Sequence, residues 1–240
     1  MLSYDKLKDR PRDFLAATGL TLEEFHKLLP AFRAAYKKRY PPERTREGKA
    51  RRRHPGGGAT GALPNCEDKL LFILVYQKTN PLQTMQALQF NLSQPQANFW
   101  IHQWLPVLQQ ALGDSGWAPA RDASRVAHSQ LVLEGAPAFT IDGTERRRQR
   151  PADKALQKEY YSGKKKTHTD KNILLVNENT GKVVYLGPTV AGKTHDKKAA
   201  AEAAIAYPLN ATLDQDTGFQ GYEPAGALTR QPKKSQKAKH

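Results

Sequence analysis

Residues Phe139-Thr-Ile-Asp-Gly-Thr-Glu145, followed at once by Arg146-Arg-Arg-Gln-Arg150, constrain the fold more than any other stretch of this chain. A short apolar run ends in one carboxylate, a glycine turn follows, and a dense basic segment comes next. The pattern predicts a buried strand over residues 138–142 with Asp142 at its tip and cations beside it. Carboxylate oxygens bind Mg²⁺ and arginines hold phosphates, so this layout suits a divalent ion and a phosphodiester held together. By itself it is not diagnostic, because Asp-Gly also closes ordinary turns.

The charge balance points the same way. Lys and Arg number 38 against 23 Asp and Glu, a net charge of +15 over 240 residues. An excess of that size implies a polyanionic partner, nucleic acid first. A membrane is disfavoured, since no apolar run approaches the roughly 20 residues a span needs. Met1-Leu-Ser-Tyr-Asp-Lys6 lacks the apolar core of a secretory signal. The single cysteine, Cys66, excludes an intramolecular disulfide and a cysteine-built zinc site. It reads as a small side chain near a helix start, and the chain as cytoplasmic.

The periodicity divides the chain. Residues 1–42 read as two helices, the second opened by the capping box Thr21-Leu-Glu-Glu24 and stopped by Pro41-Pro42. Residues 43–64 form a basic Gly-rich linker carrying Arg44, Arg46, Lys49, Arg51, Arg52 and Arg53, either a phosphate-gripping arm or a solvated tether. Residues 65–115 turn helical again. An apolar helix over 69–76, a short segment over 82–88, and a helix opened by Ser93-Gln-Pro-Gln96 make a helix-turn-helix. Its second helix presents Gln94, Gln96, Asn98 and His102, amides and an imidazole suited to base edges in a major groove. Phe99, Trp100, Trp104 and Leu108 are the expected buried stripe. The bland reading is a plain three-helix unit. Residues 113–135 look like a boundary, and residues 136–228 then change to strands, with a hairpin turn at Glu178-Asn-Thr-Gly181 and a helix from His195. Residues 229–240 read as a basic tail.

Three constellations carry possible chemistry. Gly187-Pro-Thr-Val-Ala-Gly-Lys-Thr194 satisfies the phosphate-loop pattern G-x-x-x-x-G-K-[ST]. Its strand is the second arm of a hairpin, however, where a phosphate loop needs parallel strands with helical crossovers. It stands as a runner-up. Asp142 with Asp216, and Asp214 close by, places acids just beyond predicted strands, as two-metal phosphodiester chemistry requires. Arg146, Arg147, Arg148, Lys164, Lys165 and Lys166 are the cations that would hold the phosphates. His168 and His195 lack a second histidine at ligand spacing, and His195-Asp196 reads as a helix start.

Several of these segments resemble one family. Asp142-Gly-Thr-Glu145, Gln149-Arg-Pro151 and Gln157-Lys-Glu-Tyr-Tyr-Ser-Gly-Lys-Lys-Lys-Thr-His168 are similar to the catalytic-domain opening of bacterial insertion-sequence transposases of the DDE type. Gly192-Lys-Thr-His-Asp196 and Asp216-Thr-Gly-Phe-Gln-Gly221 resemble the segments that follow in that family. The resemblance implies an α+β protein: an all-α helix-turn-helix domain followed by an incomplete RNase H-like mixed α/β domain. It implies that Asp142 and Asp216, rather than Asp214, hold Mg²⁺ or Mn²⁺ in a two-metal site. The implied partner is double-stranded DNA, both the element's terminal inverted repeats and the target, bound by a homo-oligomer. The family's third acid, a glutamate beyond an Arg-x-x-Val-Glu-like segment, finds no match before His240, and Glu223 follows Asp216 too closely. The expectation is therefore a catalytically incomplete chain, with a non-enzymatic DNA-binding regulator as the alternative.

Overall fold

The computed structural model describes residues 1–45, 48–52, 61–133 and 137–232. They form two compact units, residues 1–115 and 116–240. Arg46, Arg53 and the Gly56-Gly-Gly58 run of the expected linker lie outside the described residues, as does the tail beyond 232.

The first unit is all helix. Residues 1–42 hold three helices rather than the expected two: α1 (Tyr4–Leu7), α2 (Pro11–Thr18) and α3 (Leu22–Arg39). Pro11 explains the extra break, since it opens α2 at a position where its missing N–H costs nothing. The Thr21–Glu24 capping box of α3 is formed in both directions. Helix α4 (Cys66–Thr79) buries Leu70, Leu71, Phe72 and Ile73 completely, as its all-round apolar sequence demands. Helix α5 (Gln83–Phe90), a tight turn with Asn91 in the left-handed region, and α6 (Gln94–Asp114) complete the helix-turn-helix.

The buried stripe of α6 is shifted from the expected one. Ala97, Ile101, Trp104, Val107, Leu108 and Ala111 face the core. Phe99 is 38% exposed, and Trp100 is half-buried, stacked on Trp104 at 4.6 Å. Ala97, Ile101, Trp104 and Leu108 follow the i, i+4, i+7 rows of one helix face, which the bulkier Phe99 and Trp100 masked.

The second unit is a mixed sheet. The division between units falls inside the expected boundary of residues 113–135, and the later part of that segment belongs to the sheet: a 3₁₀ turn over Ala123–His128 and α7 (Gln130–Leu133) bring Val126, Leu131 and Val132 into its core. Strand β1 (Ala138–Arg147) runs past Asp142, so Arg146 and Arg147 sit on the strand instead of in a loop. Helix α8 (Lys154–Tyr160) and the short β2 (Tyr161–Ser162) precede the long β3 (Thr167–Asn177), which lies antiparallel to β1 with Asp142 opposite Leu174. Strands β4 (Val183–Leu186) and β5 (Val190–Ala191) pair with the other edge of β3. Helix α9 (Asp196–Ala203) crosses to β6 (Ala211–Gln215), which is parallel to β1, and β7 (Ala227–Arg230) adds a further parallel strand, unforeseen from the sequence.

One face of this sheet carries Phe139, Ile141, Ile173, Leu175, Val184 and Leu213, all buried against α7, α9, Ile205, Tyr207, Phe219 and Tyr222. On the opposite face Thr140, Asp142, Leu174, Val176, Asp214 and Leu228 are partly or fully exposed. Among the described residues no helix is long and apolar enough to cross a membrane. Phe139 is fully buried at the centre of the first face. Phe139→Ala is expected to cost about 3 to 5 kcal/mol of unfolding free energy, from lost transfer energy and the cavity left behind, measurable by urea denaturation.

Candidate active site

Strand β1 pairs with β6 in parallel register up to Ile141 opposite Gln215. Asp142 and Asp216 lie one residue beyond that last pair, Asp142 midway along β1 and Asp216 just past the end of β6. Alternation along both strands then puts their side chains on the same, open face, and both are exposed. Asp214 is also on that face but one step back, opposite Thr140 and Arg230 and about 6.6 Å along the strand. Its Oδ1 is buried with no hydrogen-bond partner.

Each of the two acids accepts one hydrogen bond from a nearby backbone N–H. Gly143 N–H donates to Asp142 Oδ1 at 2.7 Å, and Gly218 N–H donates to Asp216 Oδ1 at 2.8 Å. Their Oδ2 atoms remain clear of hydrogen-bond partners among the described residues, so a divalent cation would find two hard oxygen donors there. Among the described residues no three His, Cys, Asp or Glu side chains converge for an ion. His195 caps α9 without a side-chain bond, and His168 packs edge-on against Tyr161.

The predicted cations fare differently. Arg146 donates to Asn172 Oδ1 at 2.8 Å. Arg148 pairs with Asp170 at 2.9 Å and lies 3.7 Å over the Tyr160 ring. Arg147, Lys164, Lys165 and Lys166 are exposed, the lysines in the turn before β3, while Asp142 faces Leu174 well along that strand, so the structure does not bring them to the acids.

Segment Gly187-Pro-Thr-Val-Ala-Gly-Lys-Thr194 is not a phosphate loop. It contains β5, antiparallel to β3, and Gly192 is buried with its N–H on the Thr169 carbonyl at 3.0 Å. A side chain at 192 would fall 2.7 Å from that carbonyl, so the glycine serves close packing. Lys193 points to solvent.

Behind the acids, on the covered face, lies a charged row the sequence analysis missed. Glu145 and Lys171 are direct partners across β1 and β3, and their side chains are 5% and 6% exposed. Lys171 Nζ donates to Asp196 Oδ1 at 2.8 Å and to the Thr194 carbonyl at 2.7 Å, and lies 3.5 Å from Glu145 Oε1. Thr169 donates to Glu145 Oε2 at 2.9 Å. The one available signal was period two: Glu145 and Lys171 fall on the buried side of their strands.

In the first unit, Gln94 and Gln96 are exposed and Asn98 is half-buried on α6. Gln94 donates to Gln83 at 2.6 Å, and the Gln96 carbonyl accepts from Ser93 N–H at 2.9 Å in a complete capping box. A base contact by Gln96 through its carbonyl would therefore exchange one hydrogen bond for another. A cleft of about 510 Å³ opens between the end of α3 and the middle of α6, lined by Lys38, Arg39, Arg44 and Arg51 with Tyr36, Tyr40 and Trp100. Among the described residues no carboxylate lines it.

The chain thus joins a helix-turn-helix unit to a mixed sheet with two acids along adjacent parallel strands. A family described as "Helix-turn-helix of DDE superfamily endonuclease" matches residues 61–114, and one described as "DDE superfamily endonuclease" matches residues 141–239. Both stretches are thus similar to the DDE endonuclease superfamily, in the N- to C-terminal order of its two parts. A "Probable transposase for insertion sequence element IS702" from Microchaete diplosiphon is 30% identical over 99 residues, 41% of this chain. The chain spans about a third of that relative's length, 35%. No solved structure matches it.

Burial pushes the Glu145 carboxyl up, but hydrogen bonds from Ser162 and Thr169 and the Lys171 charge outweigh it and hold it below the usual 4.5. Ionised Glu145 therefore stabilises the fold above that value, and the contribution is lost as pH falls through it. In Glu145→Gln, Tm at neutral pH is expected to fall, and its further decline between about pH 5 and pH 3 to be shallower than in the parent, by scanning calorimetry.

Proposed function

We propose that the chain is the end-binding and acid-bearing part of an insertion-sequence transposase. The helix-turn-helix recognises the element's terminal inverted repeats, and Asp142 with Asp216 holds Mg²⁺ or Mn²⁺ for strand cleavage and transfer. The observation that carries this reading is the register of β1 on β6, which brings the acids of two distant segments side by side with one oxygen each left clear. The ions, when bound, would neutralise the scissile phosphate and activate the attacking water or 3′-hydroxyl. The chain's own residues bind and orient. Arg147, Lys164, Lys165 and Lys166 would hold the backbone of a duplex that continues past the acids along β1 and β3, while Arg146 and Arg148 keep the strand edge in place. Gln94, Gln96 and Asn98 would read base edges, with Lys38, Arg39, Arg44 and Arg51 gripping phosphates alongside. Pairing two element ends calls for an oligomer on DNA, and the place of action is the bacterial nucleoid.

The purified chain is expected to bind end-containing duplex and to nick it with Mn²⁺. Asp142→Asn and Asp216→Asn are expected to abolish nicking while leaving Kd within about twofold, since neither touches the helix-turn-helix. Nicking that survives both substitutions would remove the site. A double variant with undiminished effect on its element would leave a non-enzymatic DNA-binding regulator.

Phosphate contacts are separable by salt. Arg39→Ala and Arg44→Ala are each expected to lower the slope of log K against log salt by about one, without changing sequence preference. Fluorescence anisotropy over a salt series reads both.

A further inference from the structure

The charged row behind the acids takes no part in that reading: Glu145 and Lys171 are buried on the covered side of the sheet, and Asp196, its side chain 16% exposed, is bound to Lys171. Its most informative member is Asp196, the first residue of α9. A Cβ on Gly143, the residue after Asp142, would lie 2.6 Å from Asp196 Oδ1. A Cβ on Gly218, whose N–H holds Asp216, would lie 3.0 Å from Asp196 Oδ2. The Asp196 carboxylate thus sits between Gly143 on β1 and Gly218 in the turn after β6, one oxygen toward each. A methyl group at 143 would collide with that carboxylate, and one at 218 would crowd both it and Asp216 Oδ1, 2.9 Å away.

Asp196 is itself fixed. Lys171 donates to its Oδ1 and to the Thr194 carbonyl just before the helix, and Glu145 lies on the far side of the same ammonium. Three charges taken out of water gain little stability over a well-packed apolar set, so stability alone does not account for them. What a hydrogen-bonded carboxylate provides is a spacer of fixed length and direction. Ligands to a cation must be held to within about 0.5 Å, by neighbours that are themselves locked. The row also carries one more negative than positive charge, which favours a cation nearby.

We infer that Asp196, locked by Lys171 and Glu145, is a positioning residue that sets the spacing of Asp142 and Asp216. The inference rests on reading those two acids as cation ligands. It gives the Gly192-Lys-Thr-His-Asp196 segment a role: Gly192 brings the chain close to β3, and Asp196 wedges the strand ends.

The test is a Mn²⁺ titration of the full chain, free ion followed by electron paramagnetic resonance well below each variant's Tm. Asp142→Asn should weaken binding through loss of a ligand. Asp196→Asn should weaken it about tenfold, the scale seen when groups behind a metal ligand are altered. Gly143→Ala, which displaces Asp196 while leaving Asp216 and Lys171 in place, should do the same, and it serves where Asp196→Asn does not fold. A purely structural role would lower Tm without moving the affinity of the folded protein. Wild-type affinity in the Asp196 and Gly143 variants, with loss in Asp142→Asn, overturns the positioning role alone. Binding that is absent in the parent, or indifferent to Asp142→Asn, overturns the ligand reading and this inference with it.

Discussion

The acid end of this protein depends on the register between β1 and β6. Side chains on a strand alternate, so a slip of one residue would carry Asp142 or Asp216 to the other face and separate them. Two things pin the register. Ile141 and Phe139 on β1 and Leu213 on β6 are buried together, and moving either strand by one place would put a carboxylate into that core. The nine-residue pairing of β1 with β3 then anchors β1 from its other side.

The covered face changes character along its length in a way that suits this task. At the start of β1 it is apolar, with Phe139 and Ile141. At Gly143 it narrows to backbone, and at Glu145 it becomes ionic. The change occurs level with the acids, so the part of the core nearest the candidate site is held by directional bonds, while the apolar part behind it supplies cohesion. Directional contacts resist small displacements that a greasy contact tolerates. The opposite face, open around Asp142 and Asp216, leaves room for a phosphodiester.

Much of this was legible from residues alone, and the misses have physical causes. The strand through Asp142, though not its run on to Arg147, the hairpin at Glu178-Asn-Thr-Gly181, both capping boxes and the helix start at His195 follow from local chemistry, which acts over a few residues. The stripe of α6 was misplaced by one step because Phe99 and Trp100 look like core; in the fold they lie on the flank of Trp104. Residues 113–135 looked like a boundary because their apolar side chains are few and scattered, yet Val126, Leu131 and Val132 find the sheet. The phosphate-loop pattern matched residue for residue and failed, because a pattern cannot say which way its strand runs.

Net charge, the helix-turn-helix punctuation and acids placed after strands are properties of composition and short-range pattern, and they suffice to indicate a basic DNA-acting protein of mixed architecture. Which aspartate stands beside Asp142 is another matter. Asp214 and Asp216 are two residues apart on the same face, and only the parallel pairing of β6 with β1 aligns the second of them with Asp142. The same holds for Glu145, Lys171 and Asp196, three unremarkable charges far apart in the chain. Long-range pairing makes them one buried unit, because register across strands is fixed by the whole core and is written in no local segment.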